Sequence, residues 1–258
     1  MNHFAMLMIG FQGLLRKECK RFLRIWPQTL LPPAITLILY FLIFGRVIGS
    51  RVGIMDGFSY VVFITPGLIM MPVIINAYMN VVSSFYSAKF TRSIEELLVS
   101  PMPDWMIVIG YCSGGVARAL CIAVIAFIVS AIFGGIHMLH PVLFILAMLI
   151  ASFLFSLAGF LNAMFSRSFD DTTIVTTFVL TPLIYLAGVF YSTSQLPYFW
   201  QQVSLFNPIY YFVDIFRYSM LGISNGNIYL AFGVITGVML FLLWLNLFCM
   251  RKGLGLKG

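Results

Sequence analysis

Between Arg24 and Arg251 the chain runs repeatedly for twenty or more residues without a charge, and short polar punctuation separates these runs. A bilayer core about 30 Å thick is crossed by roughly 20 apolar residues of helix. The runs therefore divide into predicted spans at 27–44, 58–82, 106–133, 142–165, 172–190 and 228–250. The stretch from Arg118 to Arg167 is too long for one helix. Gly134-Gly135, followed by His137, His140 and Pro141, marks the turn that divides it. Membrane barrels show short alternating segments rather than continuous apolar runs. The expected fold is thus an all-α membrane protein with six transmembrane helices, and an even number of spans returns both termini to one side.

Composition strengthens this reading. Of 258 residues, 61% are hydrophobic and 9% charged, against roughly 25% charged in soluble domains, and the mean hydropathy is +1.02. A soluble fold of this composition would lack polar surface. Cationic residues orient the chain. With the termini inside, the cytoplasmic segments hold Arg16, Lys17, Lys20, Arg21, Arg24, Lys89, Arg92, Arg167, Arg251, Lys252 and Lys257, and the outer loops hold Arg46, Arg51 and Arg217. That asymmetry of eleven to three places both termini in the cytoplasm. The net charge of +7 is then a topology signal and implies no nucleic-acid partner.

The N-terminal segment 4–25 is a predicted interfacial helix. Arg16, Lys17, Lys20, Arg21 and Arg24 fall in a polar arc of about 140° opposite Phe11, Leu15, Cys19, Phe22 and Leu23. Its cations would face anionic lipid headgroups, with its apolar side in the acyl boundary; a plain positive-inside anchor and a contact with a partner both fit. The basic cluster follows the first apolar stretch, the reverse of a cleaved signal peptide. Cys19, Cys112, Cys121 and Cys249 show no disulfide or metal spacing, His3, His137 and His140 are scattered, and no phosphate loop or zinc motif occurs. Any energy source must be another polypeptide or an ion gradient.

Three polar constellations remain. Lys89-Phe-Thr-Arg-Ser-Ile-Glu-Glu-Leu-Leu-Val-Ser-Pro-Met-Pro103 lies between the second and third spans. Lys89, Arg92 and Glu96 are spaced to share a helical face, Glu95 and Glu96 make a negative patch, Leu97 and Leu98 offer apolar contact, and Pro101 and Pro103 end the helix. Such a segment is either a solvated loop helix or a docking surface for a soluble protein. Asp170 and Asp171, in Ser166-Arg-Ser-Phe-Asp-Asp-Thr172, are placed to cap the fifth span or to touch a cytoplasmic partner. The outer segment 191–227 is too apolar for a free loop and too interrupted by Pro197, Pro208 and Gly222 for a span. Short helices dipping into the outer leaflet fit it, either as a lid or in contact with cargo, and Asp214 is spaced to pair with Arg217. Arg118, in Gly114-Gly-Val-Ala-Arg-Ala119, is the one cation well inside an apolar run. Intramembrane charge costs roughly 2.5–3.5 kcal/mol on insertion scales, so this residue either faces protein or water or snorkels to the cytoplasmic side.

Together these features resemble the ABC-2 type permeases, the membrane subunits of a class of ATP-driven exporters. Glu95-Glu-Leu-Leu-Val-Ser-Pro101 is similar to that family's loop after the second span, Phe63-Ile-Thr-Pro-Gly-Leu68 to its second-span opening, and Asn207-Pro208 with Arg217 and Gly222 to its outer segment. The likeness covers nearly the whole chain and is greatest to small bacterial inner-membrane permeases encoded as separate half-transporters. It implies that 89–103 is the coupling helix, with Glu95 and Glu96 as polar contacts, and that the helix around Arg16–Arg24 is the connecting helix. It also implies a permease homodimer with two copies of a separate ATPase that carries the ATP and Mg, no cofactor residing in this chain. Asn76, Asn80, Thr177 and Thr181 become candidates for the path, although Asn and Thr within spans also serve as ordinary interhelical hydrogen-bond partners. A gradient-driven transporter or channel would be expected to carry intramembrane carboxylates or an internal repeat, and an intramembrane enzyme a nucleophile with its base; neither signature is present. The aromatic, Met-rich interior favours an amphipathic or hydrophobic cargo over a free ion.

Overall fold

A computed structural model describes residues 3–133 and 136–255; the turn predicted at Gly134-Gly135 and the cation Lys257 lie outside the described residues. Helix α1 covers His3–Arg24 and α2 Trp26–Val52. A two-residue hairpin follows, β1 (Ile54–Met55) antiparallel to β2 (Phe58–Ser59). Then come α3 (Tyr60–Phe90), α4 (Ser93–Val99), α5 (Asp104–Phe133), α6 (Pro141–Phe165) and α7, a continuous helical run over 169–186. The chain ends with α8 (Tyr198–Leu205), α9 (Pro208–Leu221) and α10 (Ile228–Lys252). Among the described residues, α2, α3, α5, α6 and α10 are long and apolar enough to cross a membrane.

The bundle is organised around α3. Most of its side chains are buried, and its most extensive contacts are with α5 and α6. Apolar association gives little drive between helices in lipid, so close backbone approach through small residues takes its place. Gly115 of α5 sits against Ser156, Val81 and the Ala77 carbonyl, and a Cβ at Gly159 of α6 would lie 2.5 Å from the Tyr78 carbonyl oxygen. Pro66 and Pro72 lie within α3, where surrounding helices shield the backbone they interrupt. Its 31 residues extend about 46 Å, well beyond a hydrocarbon core of roughly 30 Å. One end therefore projects from the membrane. The helix thus runs on past the span predicted at 58–82, and Lys89 belongs to the last turn of α3.

Two other boundaries move. The first span was expected to end at residue 44, before Arg46, but the helix continues to Val52 through a π-helical segment, Phe41–Ile48. Asp56 (φ 49°) and Gly57 (φ 85°) then form the tight hairpin turn, which suits the left-handed tolerance of Asp and Gly. The fifth span was expected at 172–190. Its helix instead begins at Phe169, because Ser168 and Asp171 form a reciprocal capping box, and passes through a π-helical segment at Thr176–Leu180. Pro182 supplies no N–H to that turn, and the Thr181 hydroxyl donates to the Thr176 carbonyl at 2.9 Å.

Replacing Gly159 with Ala is expected to cost about 1–3 kcal/mol by overpacking, seen as a lower unfolding midpoint in detergent. Gly237→Ala, which meets no atom within 4 Å, is expected to leave the midpoint in place. A Gly159→Ala protein as stable as the parent would contradict the tight α3–α6 contact.

Candidate functional sites

At one end of α3, the N-terminal helix docks on α5 through a Gly-x-x-x-Gly pair. Leu14 packs on Gly110, and Glu18 packs on Gly114, whose absent Cβ would lie 2.8 Å from Glu18 Cβ. Leu14, Glu18 and Phe22 are buried at successive four-residue steps, so this face rests on protein rather than lipid. Glu18 Oε2 accepts the Ser84 hydroxyl at 2.6 Å and lies 3.6 Å from Arg21 Nε. Burial pushes the Glu18 carboxyl above the ordinary range, while Ser84 and Arg21 pull it down. Arg21 Nη2 donates to the Asn80 carbonyl at 2.7 Å and to its side-chain oxygen at 2.9 Å, and Nη1 donates to Ser83 at 3.3 Å.

This corrects the predicted polar arc of α1. Arg16, Lys17, Lys20 and Arg24 are exposed, whereas Arg21 is drawn in by the carbonyl and amide of α3. Asn80, a path candidate, is occupied by that arginine. Glu18 and Ser84 were not anticipated from sequence. The available signal was an acid at the four-residue repeat Leu14, Glu18, Phe22, opposite the Gly110 and Gly114 pair.

Beside this docking site, α3 ends at Phe90 and Arg92 takes a left-handed conformation, φ 58°, before α4 begins. The break prevents Lys89, Arg92 and Glu96 from sharing a helical face. Lys89 Nζ instead donates to the carbonyls of Met164 (2.8 Å) and Ser166 (3.0 Å), fastening α3 to the end of α6. Ile94 is buried and anchors α4 in a cluster with Phe85, Ile107, Tyr111 and Phe160. Arg92, Glu95, Glu96, Leu98, Val99 and Pro101 are exposed, and Leu97 is half-buried. Val99 is 88% exposed, so apolar knobs and two carboxylates project together from a helix held by one buried side chain. Nearby, the Asp171 carboxylate accepts the Arg167 N–H at 2.9 Å and the Ser168 N–H at 3.1 Å, consistent with capping.

At the opposite end of α3, the 188–227 segment is fastened by buried polar groups. Asn207 caps α9 by accepting the Ile209 N–H, donates to the Leu183 carbonyl at 2.6 Å, and is followed by Pro208 in the first helical turn. Arg217 is 2% exposed; its Nη2 donates to the Gly188 carbonyl at 2.8 Å, and its guanidinium lies 4.0 Å over the Phe63 ring. Gly67, one turn further along α3, admits the Val189 backbone at 3.0 Å from where a Cβ would stand. The expected Asp214–Arg217 pair does not form. Asp214 instead accepts the Ser224 hydroxyl and the Asn225 N–H, each at 2.7 Å, closing the loop after α9.

The remaining path candidates separate in the same way. Asn76 lines a cavity of about 440 Å³ between α2 and α3 and donates to the Pro72 carbonyl. Thr177 is exposed on α7, and Thr181 is half-buried and bonded within its own helix. Of the four candidates, only Asn76 faces this cavity.

Asn80→Ala removes the side-chain acceptor of Arg21. Hydrogen bonds to charged groups contribute about 1.5–3 kcal/mol, so α1 is expected to undock more readily, with faster tryptic cleavage after Lys17 and Lys20 in detergent. Cleavage at the parent rate would remove Asn80 from the docking site.

Residues 10–221 match the family described as ABC-2 type transporter. The chain is 50% identical over 253 residues to the inner membrane transport permease YadH of Escherichia coli K12, covering 97% of this chain and 98% of that protein. It is also 27% identical over 199 residues to nodulation protein J of Rhizobium leguminosarum bv. viciae, covering 77% of each. With its apolar helices, the match makes this a multi-pass inner-membrane protein and the membrane subunit of a transporter. The chain belongs to the ABC-2 type transporter family.

Proposed function

We propose that the protein is the permease of an ATP-binding cassette exporter. Two copies would form the cargo path across the inner membrane, driven by two copies of a separate ATPase that binds ATP and Mg. The observation that carries this reading is α4: a short helix anchored by buried Ile94, which exposes Glu95, Glu96, Leu98 and Val99 together. An isolated solvated loop gains nothing from displaying Val99 at 88% exposure; a soluble partner that covers it does. The coupling surface is thus narrowed to 92–101, with Lys89 as its fastening to α6. The connecting helix α1 lies beside it and reaches α3 through Arg21.

In this reading 169–186 is the remaining transmembrane crossing, completing six spans with both termini cytoplasmic. The outer segment 188–227 dips into the outer leaflet. Its aromatic side chains at Tyr198, Phe199, Trp200 and Phe206 are exposed, as suits a membrane interface. Export, rather than import, follows the family likeness. ATP closure of the partner would act on α4, and the permease would change access only to the extent that the ligand binds its two states differently.

Replacing Glu95 and Glu96 with Ala together is expected to lower co-purification of the ATPase or its cargo-stimulated turnover severalfold, with permease abundance unchanged. Normal assembly and turnover would sink the coupling role. In a variant with its native cysteines replaced, Val99→Cys should react with an impermeant maleimide only in inverted vesicles and Phe206→Cys only in intact spheroplasts. The opposite labelling pattern would invert the proposed topology.

A further inference from the structure

The cavity between α2 and α3 carries a charge at one end and is mostly apolar along the rest, interrupted by Thr36 and Asn76. Arg118, Gln28 and Ser83 line the first end, and Leu37, Tyr40 and Ile75 line the second. From Gln28 to Tyr40 is twelve residues along α2, about 18 Å of helix. Its volume of about 440 Å³ lies within the 300–1,000 Å³ typical of small-molecule sites. The polar end is level with the first turn of α2 and next to the α1 docking site, through Ser83, which accepts Arg21.

Arg118 is held on one side only. Its Nη2 donates to the Thr29 carbonyl at 3.2 Å, while its buried Nε has no partner. Among the described residues the one ion pair is Arg21–Glu18, so no described carboxylate pairs with Arg118. A cation with unspent donors in a largely apolar setting is unfavourable unless an anion and its hydrogen bonds complete it.

We infer that this cavity is a binding site for an anionic amphiphile, with a phosphate or carboxylate head on Arg118 and an alkyl tail running toward Leu37, Tyr40 and Ile75. A free small anion would leave the apolar length of the cavity empty, and a neutral apolar ligand would leave Arg118 uncompensated. The inference rests on the permease reading only for its orientation, which makes the polar end the cytoplasmic headgroup level.

The test uses the full chain in nanodiscs of zwitterionic lipid and a dodecyl phosphate carrying a photoactivatable group on its tail. Saturable labelling of α2 and α3 is expected, with half-saturation raised about tenfold or more in Arg118→Gln and largely restored in Arg118→Lys. The dodecanol analogue should show no dependence on Arg118, and millimolar inorganic phosphate should not displace the probe. Thr36→Trp, at an exposed position on the cavity rim, should block tail labelling without altering Arg118, and it decides the matter if Arg118→Gln fails to fold. Unchanged half-saturation in Arg118→Gln and Thr36→Trp would overturn the site. So would equal labelling by dodecanol, and displacement by inorganic phosphate would reassign it to free anions. Because no ATPase is present in this experiment, its failure leaves the coupling reading standing, and loss of coupling in the Glu95 and Glu96 variant leaves the site standing.

Discussion

The close approach of α5 and α6 to α3 is the constraint on which the other contacts depend. Where lipid surrounds a bundle, exchanging tail contacts for side-chain contacts gives little net drive, and helices associate when their backbones come near enough for dense packing. Gly115 and Gly159 bring neighbouring helices onto the carbonyl side of Ala77 and Tyr78. That contact fixes the height of α5, and with it the position of Gly110 and Gly114, which receive Leu14 and Glu18 from α1. The same register sets the ends of α3, where Gly67 receives the Val189 backbone and Phe63 faces Arg217. One buried helix thereby positions the N-terminal helix at one end and the 188–227 segment at the other.

Both ends use the same chemistry. Arg21 reaches the Asn80 carbonyl and Arg217 reaches the Gly188 carbonyl, so each buried or half-buried guanidinium takes a backbone acceptor, to which Arg21 adds the side chains of Asn80 and Ser83. Glu18 shares the first site, and a π face, that of Phe63, supports the second. Arginine suits this use because its planar donor fork engages several acceptors and stacks on rings. Such contacts need particular backbone positions, which ties the charge to the helix packing that presents those carbonyls. They also explain why the Asp214–Arg217 spacing misled: an i, i+3 pair gains little when both members have stronger demands elsewhere, Arg217 on Gly188 and Asp214 on the loop at Ser224 and Asn225.

Much of the architecture was legible because membrane crossing imposes long apolar runs, and the 142–165 and 228–250 predictions nearly coincide with α6 and α10. Capping by Asp171 was equally readable, since it is local chemistry, although its reciprocal partner Ser168 was not singled out. Helix ends that project past the bilayer were not. Hydropathy marks the apolar core of a helix, so α3 was cut short at 82 and Lys89 was joined to the following loop, although only the left-handed turn at Arg92 separates the two helices. Glu18 was hidden for a different reason. Within α1 it reads as one more charge on a basic helix, and its burial follows from glycines on α5 nearly a hundred residues away.

The distribution of burial also limits where the subunit can change shape. Helices α3, α5 and α6 share contacts too close to slide without clashes at Gly115 and Gly159. By contrast, α2 and α10 present mostly exposed apolar faces, and α2 and α7 each contain a π-helical segment in which the regular hydrogen-bond ladder is relaxed. A rearrangement that preserves the α3 packing must therefore act at the boundary between this inner group and α2, α7 or α10. The cavity ending at Arg118 lies at one such boundary, between the tightly held wall of α3 and the more exposed wall of α2. Its shape is thus more open to change than the glycine contacts that hold the bundle together.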